Sequence, residues 1–366
     1  MKFKFDRDAM IKEISIAQEI ISTKNVVSIL SNVFFSASTN TLTIRATDIK
    51  INFETQIPVD IEEEGSTTVF CDKFLNILNS LPSGEIEFIQ NENGIVITPV
   101  TKKVNFKLKS IASDKFPEFS TTGDYNFFEI PAADFKEMVN QTIFAVSDDQ
   151  ARYFMNGVYF VKNDNDLVMV ATDGRRLSII KKEIAQSIED FNGVIIPPKI
   201  LNIIIRRASS EGNIRIAVAD KNIFFNFSNY NFSSVLIDGQ FPNYQRVIPE
   251  KQTNVFEIQK SDMVEALKRV SLLTEQKTRK INFEIEPGKL TVVSQESDIG
   301  TAKEEIPCKY NGEPVNIAFN YLYIEEPLKV MNSERICFEF TEKMKAATLR
   351  PEPKADYLHI IMPMME

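Results

Sequence analysis

The chain has few of the residues that carry most enzyme chemistry. Its 366 residues include one histidine, His359, and 12 glycines, roughly half the usual glycine share. One histidine excludes two-histidine metal sites, and its setting in a strand-like run indicates a structural role. Neither a G-x-x-x-x-G-K-[ST] nor a G-x-G-x-x-G motif occurs, so nucleotide-driven chemistry is not expected. The sequence therefore predicts no catalytic site, no cofactor and no metal.

Cysteines and long apolar runs are scarce as well. Cys71, Cys308 and Cys337 are too few and too widely spaced for a disulfide framework or a zinc site, so we expect buried reduced thiols. The first residues lack the apolar core of a signal peptide, and no stretch approaches the ~20 apolar residues of a membrane helix. We therefore expect a soluble, cytoplasmic protein.

The chain does contain a repeat of fixed period. Asp48, Asp173 and Asp298 lie 125 residues apart, each after an alternating strand-like run, and Phe116-Pro117 precedes Phe241-Pro242 by the same interval. Self-similarity at a fixed period indicates several copies of one structural unit. We predict three domains, at residues 1–123, 124–250 and 251–366.

Each predicted domain combines two helices with short strands. Apolar residues recur at helical spacing in the stretches 8–24, 71–81, 131–147, 197–209, 260–273 and 320–332. Asp72 and Ser261 are expected to cap two of these helices, and Pro327 should shorten or kink the last one. Alternating runs, as at residues 86–89, 104–108, 223–227 and 337–340, and turns at Asn93-Gly94 and Pro287-Gly288 predict antiparallel strands. The predicted fold class is α+β, with two helices against an antiparallel sheet in every domain.

The net charge of −9 is spread evenly along the chain, at −3 per predicted domain, so no domain is a basic module. Within the domains the charge is uneven, because the six helical stretches sum to +1 and the remainder to −10. In one stretch Lys199, Asn202, Arg206 and Ser209 form a basic and polar face opposite the apolar stripe. An ordinary solvated helix surface explains one such face. The summed charge of the six helical stretches, compared with that of the remainder, favours a layer of helices that is separate from an acidic exterior.

Four motifs remain. The second domain contains Ala171-Thr172-Asp173-Gly174-Arg175-Arg176-Leu177 and ends in Phe241-Pro242-Asn243-Tyr244 and Arg246-Val247-Ile248-Pro249, and Met362-Pro363-Met364 lies near the end of the chain. Together with the repeat, they resemble the bacterial sliding clamp family, the β subunit of the replicative DNA polymerase III. The resemblance covers the whole chain and implies a non-enzymatic processivity factor.

The family's architecture implies a head-to-tail homodimer closed into a ring of six similar domains. Twelve helices would line a hole around duplex DNA, held without base readout, and sheets would form the outer wall. The less acidic helical layer is where the phosphate backbone would pass. The expected DNA-facing residues are Lys24, Lys199, Arg206 and Arg207.

The resemblance also implies a pocket between the second and third domains for linear peptide motifs of the replicative polymerase, the clamp loader, repair polymerases and mismatch-repair proteins. The matching residues are Met155, Thr172, Gly174, Arg175, Arg176, Leu177, Pro242, Arg246, Val247, Asn320, Tyr323, Met344, Ile360, Met362, Pro363 and Met364. Methionines suit this task because they form an adaptable apolar surface. Arg175 stands where many relatives have histidine, and the ending Met365-Glu366 is unusual, so peptide preference is expected to differ.

For ring closure, the family pairs an edge of the first domain with an edge of the third. Leu272 and Leu273 match an apolar interface pair, and Phe106 matches its aromatic counterpart. Flanking ion pairs are expected among Lys73, Lys103, Asp298 and Glu304.

Two other function classes stay open from the residues alone. A β-rich binding scaffold outside replication explains the repeat but not the motifs. A hydrolase would depend on Asp148-Asp149, which, like Asp164 and Asp166, lie among turn-forming residues and are interpreted as exposed loop carboxylates. Glu62-Glu63-Glu64 is likewise interpreted as a solvated loop.

Overall fold

The computed structural model describes residues 1–21, 28–92, 94–119, 121, 123, 125–184 and 188–365. Within these residues lie six α-helices: α1 (Arg7–Ile20), α2 (Cys71–Ser80), α3 (Ala132–Asn140), α4 (Pro198–Arg207), α5 (Lys260–Val270) and α6 (Leu322–Val330). Short 3-10 helices cover Ser28–Ser31, Ser113–Lys115, Ile143–Ala145, Gln150–Met155, Tyr244–Val247 and Ser271–Leu273. Among the described helices, none has the length and apolarity needed to cross a membrane.

The strands are short and joined mostly by tight turns. They are β1 (Lys2–Asp6), β2 (Asn32–Ser38), β3 (Thr41–Thr47), β4 (Ile51–Pro58), β5 (Asp60–Glu63), β6 (Gly65–Phe70), β7 (Glu85–Asn91), β8 (Gly94–Pro99), β9 (Phe106–Leu108), β10 (Phe128–Pro131), β11 (Val158–Asn163), β12 (Asp166–Thr172), β13 (Arg176–Glu183), β14 (Val194–Ile196), β15 (Asn213–Ala219), β16 (Asn222–Phe227), β17 (Tyr230–Val235), β18 (Asn254–Gln259), β19 (Lys280–Glu286), β20 (Lys289–Ser294), β21 (Lys303–Pro307), β22 (Val315–Asn320), β23 (Arg335–Phe340), β24 (Ala347–Glu352) and β25 (Tyr357–Ile361).

The chain folds into two compact units, and each unit contains two of the sheets. The first unit comprises residues 1–133 and 199–236. It holds a five-stranded sheet, ordered β5-β1-β7-β8-β9, and an eight-stranded sheet, ordered β10-β15-β16-β17-β4-β3-β2-β6. In the larger sheet β17 pairs antiparallel with β4, with Tyr230 opposite Thr55. Strands from the first and second predicted domains therefore form one continuous sheet.

The second unit comprises residues 134–198 and 237–366. Its eight-stranded sheet is ordered β14-β11-β12-β13-β25-β24-β23-β18, and its four-stranded sheet is ordered β21-β20-β19-β22. Here β13 pairs antiparallel with β25, with Leu177 opposite Ile360. In this sheet a strand of the second predicted domain pairs with a strand of the third. The large sheet of the first unit joins the first and second predicted domains in the same way.

Phenylalanine fills the core of both units. In the first unit Phe3 stacks on Phe88 with ring centroids 4.8 Å apart, and Phe35 meets Phe74 edge-on at 5.6 Å. In the second unit the rings of Phe256 and Phe338 stack at 5.1 Å. Burial of side chains of this size contributes about 1.5–3 kcal/mol each and is the main stabilising contribution in such a sheet-rich fold.

The repeated aspartate has a structural explanation. The residue before it, Thr47, Thr172 or Ser297, accepts on its side-chain oxygen the backbone N–H two positions ahead, at 2.8, 3.0 and 3.4 Å. The carboxylates of Asp48 and Asp173 then accept the next backbone N–H groups, at 2.7–3.1 Å. These side chains form a turn that replaces backbone hydrogen bonds, so the period of 125 residues records a recurring turn.

Several local expectations are wrong in detail. Asp72 and Ser261 do not cap their helices: α2 and α5 begin one residue earlier, at Cys71 and Lys260, and Phe70 and Gln259 hold the N-cap positions. The acidic run at residues 62–64 is not simply a loop, because Glu62 and Glu63 belong to β5, where Glu62 lies 2.6 Å from Lys2 Nζ. The strand expected at residues 104–108 covers only Phe106–Leu108.

Other local expectations are confirmed. Pro287-Gly288 is the turn between β19 and β20, with Gly288 at a φ of +79°. Pro327 lies inside α6, which has only nine residues. Cys71 and Cys337 are buried free thiols, whereas Cys308 is only half-buried. Asn93 of the other predicted turn lies outside the described residues.

Candidate peptide pocket and nucleic-acid interface

The turn after β12 organises the candidate peptide pocket in the second unit. The Thr172 hydroxyl donates to the carbonyl of Arg176 at 2.6 Å. Gly174 adopts a φ of +86°, and a Cβ at this position would lie 2.8 Å from Nη1 of Arg152. Glycine therefore fits this turn best. The turn leaves Arg175 exposed and directs Arg176 inward.

Arg176 is buried, with 8% of its surface exposed. Its Nε donates to the Asp173 carboxylate at 3.1 Å, its Nη2 to the Phe144 carbonyl at 2.7 Å and its Nη1 to the Glu326 carboxylate. The guanidinium also lies 4.6 Å from the ring centroid of Tyr323. These contacts hold the pocket together from inside the protein. A direct contact of Arg176 with a peptide stays a prediction.

Leu177 and Ile360 form the apolar floor of the candidate pocket. They face each other across β13 and β25 and expose 3% and 2% of their surfaces. Both belong to a cluster of buried residues that also contains Val168, Val170, Ile179, Ile195, Phe241 and Tyr244. The segment with the Phe241-Pro242 motif therefore packs on the same cluster as the floor.

Large apolar side chains of the second unit stay exposed at the predicted pocket positions. Val247 is 51% exposed, Met344 48% and Met362 45%. Met362 is fixed by its backbone N–H, which donates to the carbonyl of Arg175 at 2.9 Å. Tyr153 of the same unit, which the sequence did not single out, is 51% exposed, and its ring lies edge-on to Phe154. Apart from its aromatic side chain, nothing in the sequence distinguishes it.

The remaining predicted pocket residues vary in exposure. Met155 is buried, and Arg246 is exposed. The half-buried ones are Pro242, Asn320, Tyr323, Pro363 and Met364. The Asn320 side-chain oxygen accepts the backbone N–H of Leu322 at 3.1 Å, and the Met364 N–H donates to the Ala318 carbonyl at 2.8 Å. Glu366 lies outside the described residues.

His359 lies in β25, as predicted, and is fully buried. Its Nδ1 lies 2.5 Å from the Ser178 hydroxyl. Burial, and secondarily the charge of Arg176, lowers the pKa of His359 to about 3. A neutral, inaccessible imidazole beside a serine cannot act as a general base towards an external substrate. The pair is part of the core.

Of the aspartates that a hydrolase would use, Asp148, Asp149 and Asp164 lie outside the strands and α-helices, as expected, whereas the loop expectation is wrong for Asp166, which begins β12 and is half-buried. Asp149 accepts the backbone N–H of Ala151 at 2.9 Å and pairs with Arg152 at 2.9 Å, and Arg152 most strongly lowers the pKa of Asp149. Asp164 lies within the turn between β11 and β12, and Asp166 pairs with Asn163 at the base of that turn. In the part of the chain that the structure describes, no group of three or more His, Cys, Asp or Glu side chains could hold a metal ion.

The basic face of α4 is largely paired with acids from the first predicted domain, all within the first unit. Lys199 Nζ lies 2.6 Å from Asp48 Oδ2. Arg206 and Arg207 share the Glu19 carboxylate, and Arg206 Nη2 lies 2.9 Å from it. Arg206 keeps 60% of its side chain exposed, whereas Arg207 keeps 24%. The α4 sequence contains no acid, so it gives no sign of these partners.

Lys24 lies outside the described residues, so it remains a sequence prediction. Of the predicted interface residues, Phe106 and Glu304 lie in the edge strands β9 and β21, whereas Lys73 lies in α2 and Leu272 and Leu273 in a 3-10 helix. Leu272 is 80% exposed, Leu273 and Phe106 are half-buried, and Lys73 and Asp298 are exposed. Glu304 already pairs with Arg269 at 2.6 Å within the same chain, and this bond lowers the pKa of Glu304.

The repeated pairing of sheets with helices, with the strand connections β17 to β4 and β25 to β13, is the architecture of the class of DNA clamps. The N-terminal, central and C-terminal domain models of the DNA polymerase III beta subunit match residues 1–120, 129–243 and 245–365. The chain belongs to this bacterial family, the beta sliding clamps. It is therefore a non-catalytic processivity factor of DNA polymerase III, with the α+β fold of three clamp domains.

Relatives match along the whole chain. The chain is 48% identical to the beta sliding clamp of Treponema pallidum, with 100% of this chain and 99% of the relative covered. A crystal structure of the Pseudomonas aeruginosa sliding clamp bound to griselimycin matches with a TM-score of 0.95 at 26% identity, covering 100% of both chains. The Bartonella birtlesii clamp bound to griselimycin matches with a TM-score of 0.93 at 29% identity, again over 100% of both chains.

Proposed function

We propose that two copies of this chain close head to tail into a ring around duplex DNA. The sheet pattern supports this. In each unit the large sheet forms when a strand of one repeat pairs with a strand of the repeat before it: β17 with β4, and β25 with β13. The matching strands left over are β9 and β21, and both lie at a sheet edge. Pairing of β9 of one copy with β21 of a second copy joins the first repeat of one chain to the third repeat of the other by the same kind of strand pairing.

Exposed side chains near these edges support the same seam. Leu272 exposes 80% of its surface and Ile299 86%, although both are large and apolar. Leu272 lies in the 3-10 helix after α5 and Ile299 in the connection between β20 and β21, and exposed apolar side chains of this size are typical of interfaces. Ile299 was not among the predicted interface residues, yet it follows Asp298 directly. Because Glu304 already pairs with Arg269, an ion pair across the seam depends more on Asp298.

For DNA, we propose contact through Arg206 and Lys24, with a supporting role for Lys199 and Arg207. Arg206 supports this role because most of its side chain remains exposed, so it has freedom to reach a phosphate. Lys199 and Arg207 instead hold Asp48 and Glu19. A few mobile cations give binding without base readout, which keeps the duplex free to slide.

We propose that the pocket of the second unit binds linear peptide motifs of the replicative polymerase, the clamp loader, repair polymerases and mismatch-repair proteins. One observation carries this proposal: Val247, Met344 and Met362 stay about half exposed beside the buried floor of Leu177 and Ile360. An apolar peptide side chain would bury these groups and gain the corresponding hydrophobic free energy. Griselimycin, found on two related clamps, is a suitable competitor.

The test is peptide binding by Met362→Ala. We expect a loss of about 1–3 kcal/mol in binding free energy, as for truncation of a central interface anchor, in titrations of a fluorescein-labelled pentapeptide with glutamine first and leucines in its last two positions. Val255→Ala is the matched control, because Val255 is 43% exposed on the same unit but outside the pocket. Equal affinity of the Met362 variant and the wild type would refute the assigned pocket.

We further propose that Arg175 makes the pocket prefer acidic peptides. It is exposed, and burial raises the pKa of Tyr323, a rise that the charge of Arg176 and then that of Arg175 oppose. A cation at the rim attracts a peptide carboxylate in a salt-dependent way. We retain the domain limits 1–123, 124–250 and 251–366, and a cytoplasmic location, as parts of this proposal.

A further inference from the structure

The backbone arrangement at the proposed peptide pocket consists of a Thr-Asp turn followed by a hydrogen bond between two neighbouring strands. This arrangement, called the frame below, occurs twice in the chain. In the second unit the N–H of Met362 donates to the carbonyl of Arg175 at 2.9 Å. In the first unit the N–H of Val235 donates to the carbonyl of Lys50, 125 residues before Arg175, at 2.8 Å. A Thr-Asp turn lies shortly before the accepting residue in each unit. Its threonine hydroxyl accepts a backbone N–H at 2.8 Å in the first unit and at 3.0 Å in the second. The two sheets therefore present equivalent edges to a ligand.

Several apolar positions of the frame are also shared. Val235, the counterpart of Met362, is 38% exposed, close to the 45% of Met362. Leu30 corresponds to Met155, and both are buried in the last two residues of a short 3-10 helix. Pro117 corresponds to Pro242 in the matching Phe-Pro motifs. The first unit thus keeps a frame whose rim is partly apolar.

The floors of the two frames differ in polarity. In the second unit Leu177 faces Ile360; in the first, the same cross-strand pair is Asn52 and Ser233. Asn52 Nδ2 donates to the Ser233 hydroxyl at 3.0 Å, and its Oδ1 accepts from the Thr47 hydroxyl at 2.6 Å. The counterpart Thr172 hydroxyl instead donates to a backbone carbonyl. The first unit's floor is therefore a closed polar network.

The turn above the floor differs as well. Ile49 occupies the place of Gly174 and has a similar backbone conformation, with a φ of +77° against +86°. A β-branched residue is strained in this region, and the Ile49 side chain is 67% exposed. It adds bulk at the position that Gly174 leaves clear.

We infer that Ile49, Asn52 and Ser233 prevent the first unit from binding the apolar peptides that the second unit binds. Each chain therefore has one peptide site, although the same backbone frame occurs in both units. This inference rests on the proposed peptide function. An apolar side chain placed over Asn52 would remove water from an amide whose partners are already fixed, and it would meet no apolar floor. The specificity lies in three matched side chains, since the backbone frame is shared.

The test is to convert the first frame. The triple variant Ile49→Gly, Asn52→Leu, Ser233→Ile should bind two labelled pentapeptides per chain in calorimetric titration, where the wild type binds one. The new site should have a dissociation constant within about tenfold of the original one. Adding Val235→Ala should weaken only the new site, and adding Met362→Ala only the original one. The peptide is the pentapeptide described above.

A second variant guards against overpacking at the buried position 233. Ile49→Gly, Asn52→Leu, Ser233→Ala adds no volume there comparable to isoleucine, so it should fold and still gain weaker second-site binding. A folded variant that binds one peptide at saturating concentration would overturn the inference, as would two sites in the wild type. Loss of all peptide binding in the wild type, or no effect of Met362→Ala, would instead refute the proposed pocket.

Discussion

Arg176→Ala distinguishes a residue that holds the pocket together from one that contacts the ligand. The substitution leaves the carboxylates of Asp173 and Glu326 without their partner and the Phe144 carbonyl without its donor. Removing one member of a buried charged pair costs about 3–5 kcal/mol. Because the side chains of Asp173 and Glu326 are 17% and 32% exposed, water recovers part of this cost. We expect a loss of about 2–4 kcal/mol in the free energy of unfolding.

The assay is urea denaturation without peptide, extrapolated linearly to water. Arg176→Lys is the matched control: it keeps the charge but cannot reproduce the planar fork of three donor contacts, so it should fall between the wild type and Arg176→Ala. Peptide affinity should drop together with stability in both variants. A variant with wild-type unfolding free energy and lost peptide binding would refute this reasoning and assign Arg176 to the ligand.

Three further predictions concern the seam, the channel and pH. Leu272→Ala with Leu273→Ala should give folded monomers; a dimer that persists at nanomolar concentration in sedimentation would contradict the seam. Arg206→Glu should weaken retention on circular DNA with little change in Tm, whereas Arg207→Glu, placed against Glu19, should also lower Tm, and equal Tm changes would contradict the proposed division of roles. Because His359 has a folded pKa of about 3, the unfolded chain takes up its extra proton below about pH 6.5. His359 should therefore reduce stability by up to about 1.4 kcal/mol per pH unit between about pH 6.5 and its folded pKa of about 3, and His359→Asn should reduce this slope.

The repeat and the α+β class could be predicted because they depend on local patterns. The period of 125 residues can be read from the sequence because the same turn requires the same side chains each time it occurs, as at Asp48 and Asp173. Apolar spacing located all six described helices, since each buries one stripe. Their ends were less well predicted. α2 and α5 begin without a side-chain cap, so the residues that usually mark a helix start, Asp72 and Ser261, were misleading.

Features that depend on distant pairing could not be predicted. Glu62 and Glu63 form a strand because β5 pairs with β1, which lies nearly 60 residues earlier. The cations of α4 looked free because their partners, Glu19 and Asp48, belong to another predicted domain. Similarly, the motif around Arg176 does not indicate that its guanidinium is buried, because the partner Glu326 lies 150 residues further along the chain. In each case the fold brings together residues that have no local signal in common.

The continuous sheets have a consequence for how the chain is made. β4 ends at Pro58, but its partner β17 begins at Tyr230, so the two are synthesised more than 170 residues apart. At the usual 5–20 residues per second, the edge of β4 waits roughly 10–35 s on the ribosome before its neighbour emerges. An unpaired edge during that interval is open to pairing with other nascent chains. The first repeat therefore cannot be completed when its own last residue appears, and its folding is tied to translation of the second.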